Sequence, residues 1–360
     1  MAVIRQMGAL QIDTISVVAR SPYLVLWSRL GDYQPPWLDD LLTEGALFES
    51  WAHAICWISI EDFPLYRRRM LDNAHSFGDN PDKWLEEHRE MTEMVLSRIR
   101  QEGGLRSSDF ENKRQHSNGW WDWKEEKRVL EHLFNTGVLM IARRNKFQRV
   151  YDLRERVYPD WDDANTPSVE VVRRELALKS IRAMGIARAG WVANYFYYLS
   201  KRELPALLKL LVDQGEVNVV EVEGWTEPAY VHPDNLSWLD AAASQKLKPT
   251  MTTLLSPFDP LIWDRGRVKV MFGFDYTIGC YTPAAKRTYG YFALPILYQG
   301  KLVGRLDAKA HRAVKKFEVK DLWMEPGYEL KGALAEELKN TLQTCAAWHG
   351  TPEVVGLRND

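Results

Sequence analysis

The chain has 360 residues, enough for two or three domain-sized units around a sizeable core. Apolar residues at 46%, charged residues at 27% and a net charge of −2 are ordinary for a globular protein and exclude an overall polycation. The three cysteines (Cys56, Cys280 and Cys345) lie far apart, which excludes a CxxC-type zinc or iron–sulfur site and fits a reducing compartment. No apolar run approaches the roughly 20 residues that span a bilayer, and the N-terminus lacks a signal pattern, so a cytoplasmic, nucleoid-associated protein is expected.

Charge is unevenly placed. Segment 143–156 carries six basic residues against two acidic, and 299–316 six against one. Segment 213–240 has seven acidic residues and no Lys or Arg. A chain so divided can turn a basic face to a polyanion while staying neutral overall. Ordinary solvated faces are the simpler reading of charge alone.

In chain order, Met7 to Ile15 sets a polar pair, Gln11 and Asp13, among apolar residues. By local physics Asp13 or Thr14 is an N-cap for a helix beginning near Ile15, and Gln11 is a surface residue. A buried amide and carboxylate two residues apart are costly, however, unless something uses them. Residues 14–72 read as mostly helical, broken at Pro35-Pro36, with another helix from Trp37 stopped by Gly45. Residues 47–51 and 56–60 alternate as short strands, and helix returns at Phe63 to Arg69. The charged helical stretch 79–102 ends at Gly103-Gly104.

Leu105 to Phe110 is a capped turn into a short helix. The cluster Trp120, Trp121 and Trp123, expected in the core, precedes a helix over 124–135 with Val129, Leu130, Leu133 and Phe134 on one face. Gly137 stops it. Then Val138 to Ala142, a basic tip (Arg143-Arg144-Asn145-Lys146) and Phe147 to Tyr151 form strand, turn and strand. Helix, helix and basic-tipped hairpin is the order of a winged helix, in which one helix approaches a groove and the wing touches phosphates. The order returns with a helix over 170–184, a turn over 185–191, a helix over 204–214 stopped by Gly215, and strands at 216–222 and 229–231. Residues 14–60 read as a less regular first copy. Such repeats suit DNA binding and also serve as protein-interaction modules.

Beyond residue 250 the character changes. Leu254 to Pro260 is turn-rich, with Asp259 expected to cap backbone amides. Tyr289 to Leu297 and Leu302 to Leu306 pair across 298–301 as a hairpin with a glycine turn. With 317–319 and 322–324 they make a small β-rich module, and a helix over 331–349 carrying Trp348 closes the chain.

These residues resemble the winged-helix DNA glycosylases of the AlkZ/YcaQ type, which excise bulky alkylated purines and unhook interstrand crosslinks. The marks are Leu10-Gln-Ile-Asp-Thr-Ile15, Ser28-Arg29-Leu30-Gly31, Trp51-Ala52-His53, Gly119-Trp120-Trp121, and Phe147 to Leu153. Leu255 to Arg265, Phe272 to Tyr276, Pro283 to Tyr291 and Val303 to Asp307 complete the set, which covers nearly the whole chain. The resemblance implies an α+β fold: tandem winged-helix motifs followed by a small C-terminal β-barrel-like module. The expected units are 1–78 with the catalytic signature, 79–160, 161–250, and 251–360. Family members ordinarily carry another helix or so before the signature, and ten residues precede Gln11 here. The expectation is a shortened chain or a start assigned too late, with a weaker hold on the DNA groove.

The resemblance implies that Gln11 and Asp13 are catalytic, in the Gln-apolar-Asp form that acts broadly on crosslinks and simple alkyl adducts. A purine alkylated at N7 is cationic, and its glycosidic bond is already weakened. Asp13 would stabilise the oxocarbenium-like state and take a proton from water, while Gln11 holds that water. On an ideal helix the two would diverge by about 200°, so a non-helical turn or helix start is expected. No metal or cofactor is needed, and with no lysine in the signature no strand cleavage should follow. The expected partner is double-stranded damaged DNA, with no membrane and a monomeric enzyme. Arg143, Arg144, Lys146 and Arg149 on the wing, and Lys286 and Arg287 in the β module, are the candidate DNA contacts; each reads equally as a solvated surface residue. Arg20, Arg29 and His53 are placed near the cleft, with a core histidine bonded to a backbone carbonyl as the other reading of His53. The alternative is a non-catalytic winged-helix transcriptional regulator. A metal nuclease built on Asp39-Asp40 or Asp160, Asp162 and Asp163 lacks His/Asp ligand spacing.

Overall fold

The structure, a computed structural model, describes residues 1–72, 81–110 and 125–357. The tryptophans at 120, 121 and 123 lie outside the described residues. α1 (Ala2–Met7) leads into β1 (Leu10–Gln11), followed by α2 (Ser21–Leu30), α3 (Pro36–Thr43), β2 (Leu47–Trp51), β3 (Ile55–Ser59) and α4 (Phe63–Leu71). The strands form an antiparallel sheet in the order β1-β3-β2, with Gln11 opposite Cys56. The helix expected near Ile15 does not form. Residues 12–20 stay irregular because their backbone groups bond elsewhere: Ile12 N–H donates to Ile55 O (2.8 Å), and Val17 O accepts from Ala310 N–H (2.9 Å). α2 starts later, at Ser21, with Pro22 in its first turn.

α5 (Pro81–Glu87), α6 (Arg89–Glu102), α7 (Glu125–Asn135), β4 (Leu139–Asn145), β5 (Gln148–Leu153) and α8 (Arg154–Val157) come next. α7 buries the expected stripe Val129, Leu130, Leu133 and Phe134. Gly137 follows at φ 71°, where a Cβ would lie 2.5 Å from the Arg67 guanidinium. A side chain is excluded there on both counts. β4 runs through to Asn145, so Arg143 and Arg144 stand on a strand and not at the tip. The hairpin turns on Lys146 and Phe147, at φ 49° and 70°.

α9 (Val169–Met184), α10 (Ala189–Phe196), α11 (Leu204–Asp213), the pair β6 (Asn218–Val220) and β7 (Ala229–Val231), and α12 (Leu236–Ala243) repeat the order of helices then hairpin. The last region curls a five-stranded sheet from β8 (Thr252–Leu254), β9 (Leu294–Tyr298), β10 (Lys301–His311), β11 (Lys316–Met324) and β12 (Glu353–Val355), in the order β12-β11-β10-β9-β8. The expected hairpin is there, turning on Gln299-Gly300. α13 (Arg265–Phe272) and α14 (Gly332–Trp348) flank it, and α13 carries no helical signal in its sequence.

The first region is the hub. One apolar cluster joins its Leu10, Trp27 and Trp57 to α7 and to the five-stranded sheet. A second joins Phe48 and Cys56 to Val172, Leu176 and Tyr195. Polar ties follow the same routes. Asp259 caps the Leu261 amide as expected (2.8 Å), and it also takes both ends of the Arg29 guanidinium at 2.6 and 2.9 Å. Arg29 is therefore a clamp between α2 and the 255–260 turn, and it also lines a cavity of about 390 Å³ with Met7, Tyr195 and Arg267. Ser21 Oγ meets Ser256 Oγ at 2.7 Å beside it. Since the Asp259 carboxylate is fully buried, removing the partner charge in Arg29→Met should cost about 3 kcal/mol, read as a lowered denaturation midpoint with unchanged slope.

No helix among the described residues is long and apolar enough to cross a membrane. Three of the five acids considered for metal have structural partners: Asp39 accepts from Tyr23 Oη (2.9 Å), Asp162 caps Ala164 and Asp163 holds Arg67 at 2.7 Å.

Candidate active site

β1 ends at Gln11, which is buried and pairs with Cys56 of the central strand β3. Its Oε1 lies 2.9 Å from His53 Nε2, in the tight turn between β2 and β3. His53 is thus bonded to Gln11 and not to a backbone carbonyl. Its ring stacks on Trp263 with centroids 3.6 Å apart, and Trp263 in turn rests against Tyr195. Burial, with the nearby Arg267 charge, pushes the imidazole down to about 3. At neutral pH the ring is uncharged. An amide oxygen accepts, so Nε2 carries the proton, and Nδ1 has no partner among the described residues. The bond fixes the Gln11 amide and leaves its NH2 as the free donor.

The sign of the His53 effect follows from linkage. A histidine held neutral in the fold, but titrating near 6.5 when unfolded, favours the unfolded state as pH falls through that window. Stability should therefore drop between about pH 6.5 and pH 3. His349, pushed by burial to about 4, acts in the same direction. Melting temperature against pH for wild type and His53→Phe separates the two, with a shallower acid slope expected in the variant.

Asp13 lies two residues on, past Ile12, in the irregular segment. Its Oδ1 accepts the Ile15 amide at 2.7 Å, which makes a turn of residues 13–15 and fixes the carboxylate. Oδ2 has no partner among the described residues. Partial burial raises the Asp13 pKa above the ordinary carboxylate range, and the Ile15 amide opposes this more weakly. The pair is thus non-helical, as the resemblance required. A cleft of about 390 Å³ opens at Asp13, lined also by Thr14, Lys127, Phe147, Gln148 and Arg149. Phe147 reaches it because the hairpin turn holds two non-glycine residues in left-handed backbone, at a cost of about 1–3 kcal/mol each.

The candidate cations divide sharply. Arg144 and Arg149 are not free wing cations. Arg144 forms a two-pronged pair with Glu49 at 2.5 and 2.8 Å. Arg149 reaches the same carboxylate at 3.1 Å and Glu131 at 3.0 Å. Glu49 is 0% exposed, against 7% for Arg144 and 16% for Arg149. The run of basic residues concealed this because the counter-ion stands 95 residues upstream. Arg143 and Lys146 are exposed. Lys286 is exposed on a 3-10 turn, whereas Arg287 donates to Gly279 O and Thr282 O at 3.1 and 2.8 Å and packs over Tyr291, pinning its own loop. Arg20 lies over the Phe147 ring at 4.3 Å, at the edge of the cleft. Sequence reasoning did not single out Glu49 or Phe147 as site residues; each lay inside or beside a quoted motif without a signal of its role.

Asp13 brings a carboxylate of raised basicity into this cleft, which Lys127, Arg144 and Arg149 also line. A family model described as DNA glycosylase AlkZ-like matches residues 4–348. Among solved structures, the Streptomyces sahachiroi DNA glycosylase AlkZ aligns with a TM-score of 0.64 over 98% of this chain and 92% of that one, at 18% sequence identity. At that identity the likeness is one of fold.

Proposed function

This chain belongs to the AlkZ-like DNA glycosylase family, and we propose that it is a monofunctional glycosylase for alkylated purines of the 7-alkylguanine type, acting also on interstrand crosslinks, through Gln11 and Asp13. The observation that carries the reading is the half-buried, raised-pKa carboxylate of Asp13 beside an amide that His53 holds in one orientation. Water donates one proton towards Asp13 Oδ2 and accepts from the Gln11 amide. As the glycosidic bond stretches, the ionised carboxylate faces the positive charge growing on the sugar. The base leaves with the bonding electrons, neutralising its own N7 charge, and hydroxide adds at C1′ with the proton on Asp13. The departing base needs no acid because alkylation has already activated it.

In this reading the two helix–helix–hairpin regions are winged helices, the first region is an irregular third copy, and the boundaries near residues 78, 160 and 250 separate them from the β module. Of the cations expected to meet DNA, exposed Arg143, Lys146 and Lys286 then keep that role. A weak bond demands little enclosure of the base, so a cleft open along one side suits bulky and crosslinked lesions.

The test is release of free base from duplex DNA carrying 7-methylguanine. Wild type should leave an abasic site with the strand intact, with or without EDTA. Tight binding to a preferred undamaged sequence, with no release, would instead identify a regulator.

A further inference from the structure

The bend Val17–Arg20, between Asp13 and α2, is held by the C-terminal sheet at two points. Val17 O takes the Ala310 amide at 2.9 Å, and Val18 O takes the Arg312 guanidinium. Arg20, two residues on, lies over Phe147, and Phe147 shares the cleft wall with Asp13. Two guanidiniums from opposite ends of the chain thus flank one short bend at the edge of the catalytic cleft.

They differ from the other arginines around them. Arg29, Arg67, Arg144, Arg149 and Arg305 each hold a carboxylate. Neither Arg20 nor Arg312 has one within ion-pair distance among the described residues. Asp39, a carboxylate whose charge Arg20 feels, already accepts from Tyr23. The Arg20 Nε is buried with no hydrogen-bond partner. Burial, and then the Arg20 charge, lower the basicity of Arg312. Two like charges kept together at the end of a helix without a side-chain cap are unfavourable alone and favourable around an anion.

We propose that Arg20 and Arg312 grip one phosphodiester of the damaged strand, next to the nucleotide presented to Asp13. A planar guanidinium fork on each side of the bend can meet the two non-bridging oxygens of a phosphate. Phe147 stands between this grip and Asp13, so the gripped phosphate flanks the reacting sugar. The arrangement rests on the glycosylase reading above and adds a positioning role for both residues. It also accounts for part of the basic run at 299–316: Arg305 is a buried strut, Lys316 pairs with Glu353, and Arg312 holds Val18 O.

The probe is a duplex carrying the cationic, uncleavable 2′-fluoroarabino analogue of 7-methylguanosine, with a neutral methylphosphonate placed at one backbone position at a time. At one flanking position the neutral linkage should weaken wild-type binding about tenfold, the scale of a charge-assisted contact. Arg312→Gln should bind about tenfold more weakly than wild type and lose no further affinity at that position. Its plot of log affinity against log salt should be shallower by about one unit. Arg20→Gln gives the same pattern independently, should Arg312→Gln disturb the Val18 loop. If every methylphosphonate costs both variants what it costs wild type, neither side chain touches the backbone and the inference is wrong. Base release by wild type is measured alongside. Its absence overturns the glycosylase reading, whereas an unchanged interference map with release intact overturns the grip alone.

Discussion

Asp13→Asn is expected to slow base release by about 10²–10⁴-fold, the range spanned by loss of a general base, while leaving the protein at least as stable. The stability half of the prediction follows from the raised pKa. A carboxyl that is easier to protonate when folded than when unfolded makes the folded state bind more protons between the two values. Its ionised form therefore weakens the fold at neutral pH, and stability grows as pH falls through the folded value. Asparagine is neutral at all pH and can still accept the Ile15 amide, so it removes the penalty and keeps the turn. Single-turnover release of 7-methylguanine and thermal melting at pH 7 test both halves. Wild type should also show an acid limb in its rate profile above the usual carboxylate range near 3.9, and that limb should be absent from the residual activity of Asp13→Asn. A variant that loses activity together with stability would mean that Asp13 is a structural cap after all.

Glu49→Gln is expected to have the largest effect on folding. Its carboxylate is completely buried and serves two guanidiniums, one nearly as buried as itself. Glutamine keeps the shape but leaves Arg144 without a counter-charge and Arg149 with Glu131 alone. Removing one side of a buried pair typically costs about 3–5 kcal/mol, a large part of a domain's whole stability. The local consequence is specific. Arg144 also donates to Phe147 O at 2.7 Å and so holds the strained hairpin turn shut. Releasing it should free Phe147 from the wall of the cleft and reduce activity beyond what unfolding explains. Denaturant melts give the stability term. Glu49→Leu combined with Arg144→Met should recover part of it, since the apolar pair leaves only Arg149, still paired with Glu131.

Much of the architecture was legible because it is written in local pattern. The stripe on α7, the glycine stop at Gly137, the 299–300 hairpin and the terminal helix all follow from periodicity and turn chemistry among neighbours. What failed depended on distant partners. Asp13 reads locally as a helix cap, but the Ile55 carbonyl, the Ala310 amide and the Arg312 guanidinium take the backbone groups of Ile12, Val17 and Val18. The wing arginines read as free charges because their carboxylate belongs to β2. Arg29 and Asp259 each look ordinary alone and meet as a clamp. The catalytic role proposed for Gln11 and Asp13 came from resemblance to a family, not from spacing. The short strands β8 and β12 carried too little alternation to register.

The holding of residues 17–20 by β10 bears on how the protein is made. Asp13 leaves the ribosome well before the Ala310 amide and the Arg312 guanidinium that hold the bend beside it. Until translation passes residue 312, the nascent chain carries Gln11 and Asp13 without the contacts that hold residues 17–20. A chain ended before β10 would lack both supports of this bend, and base release from such a product is expected to be lost.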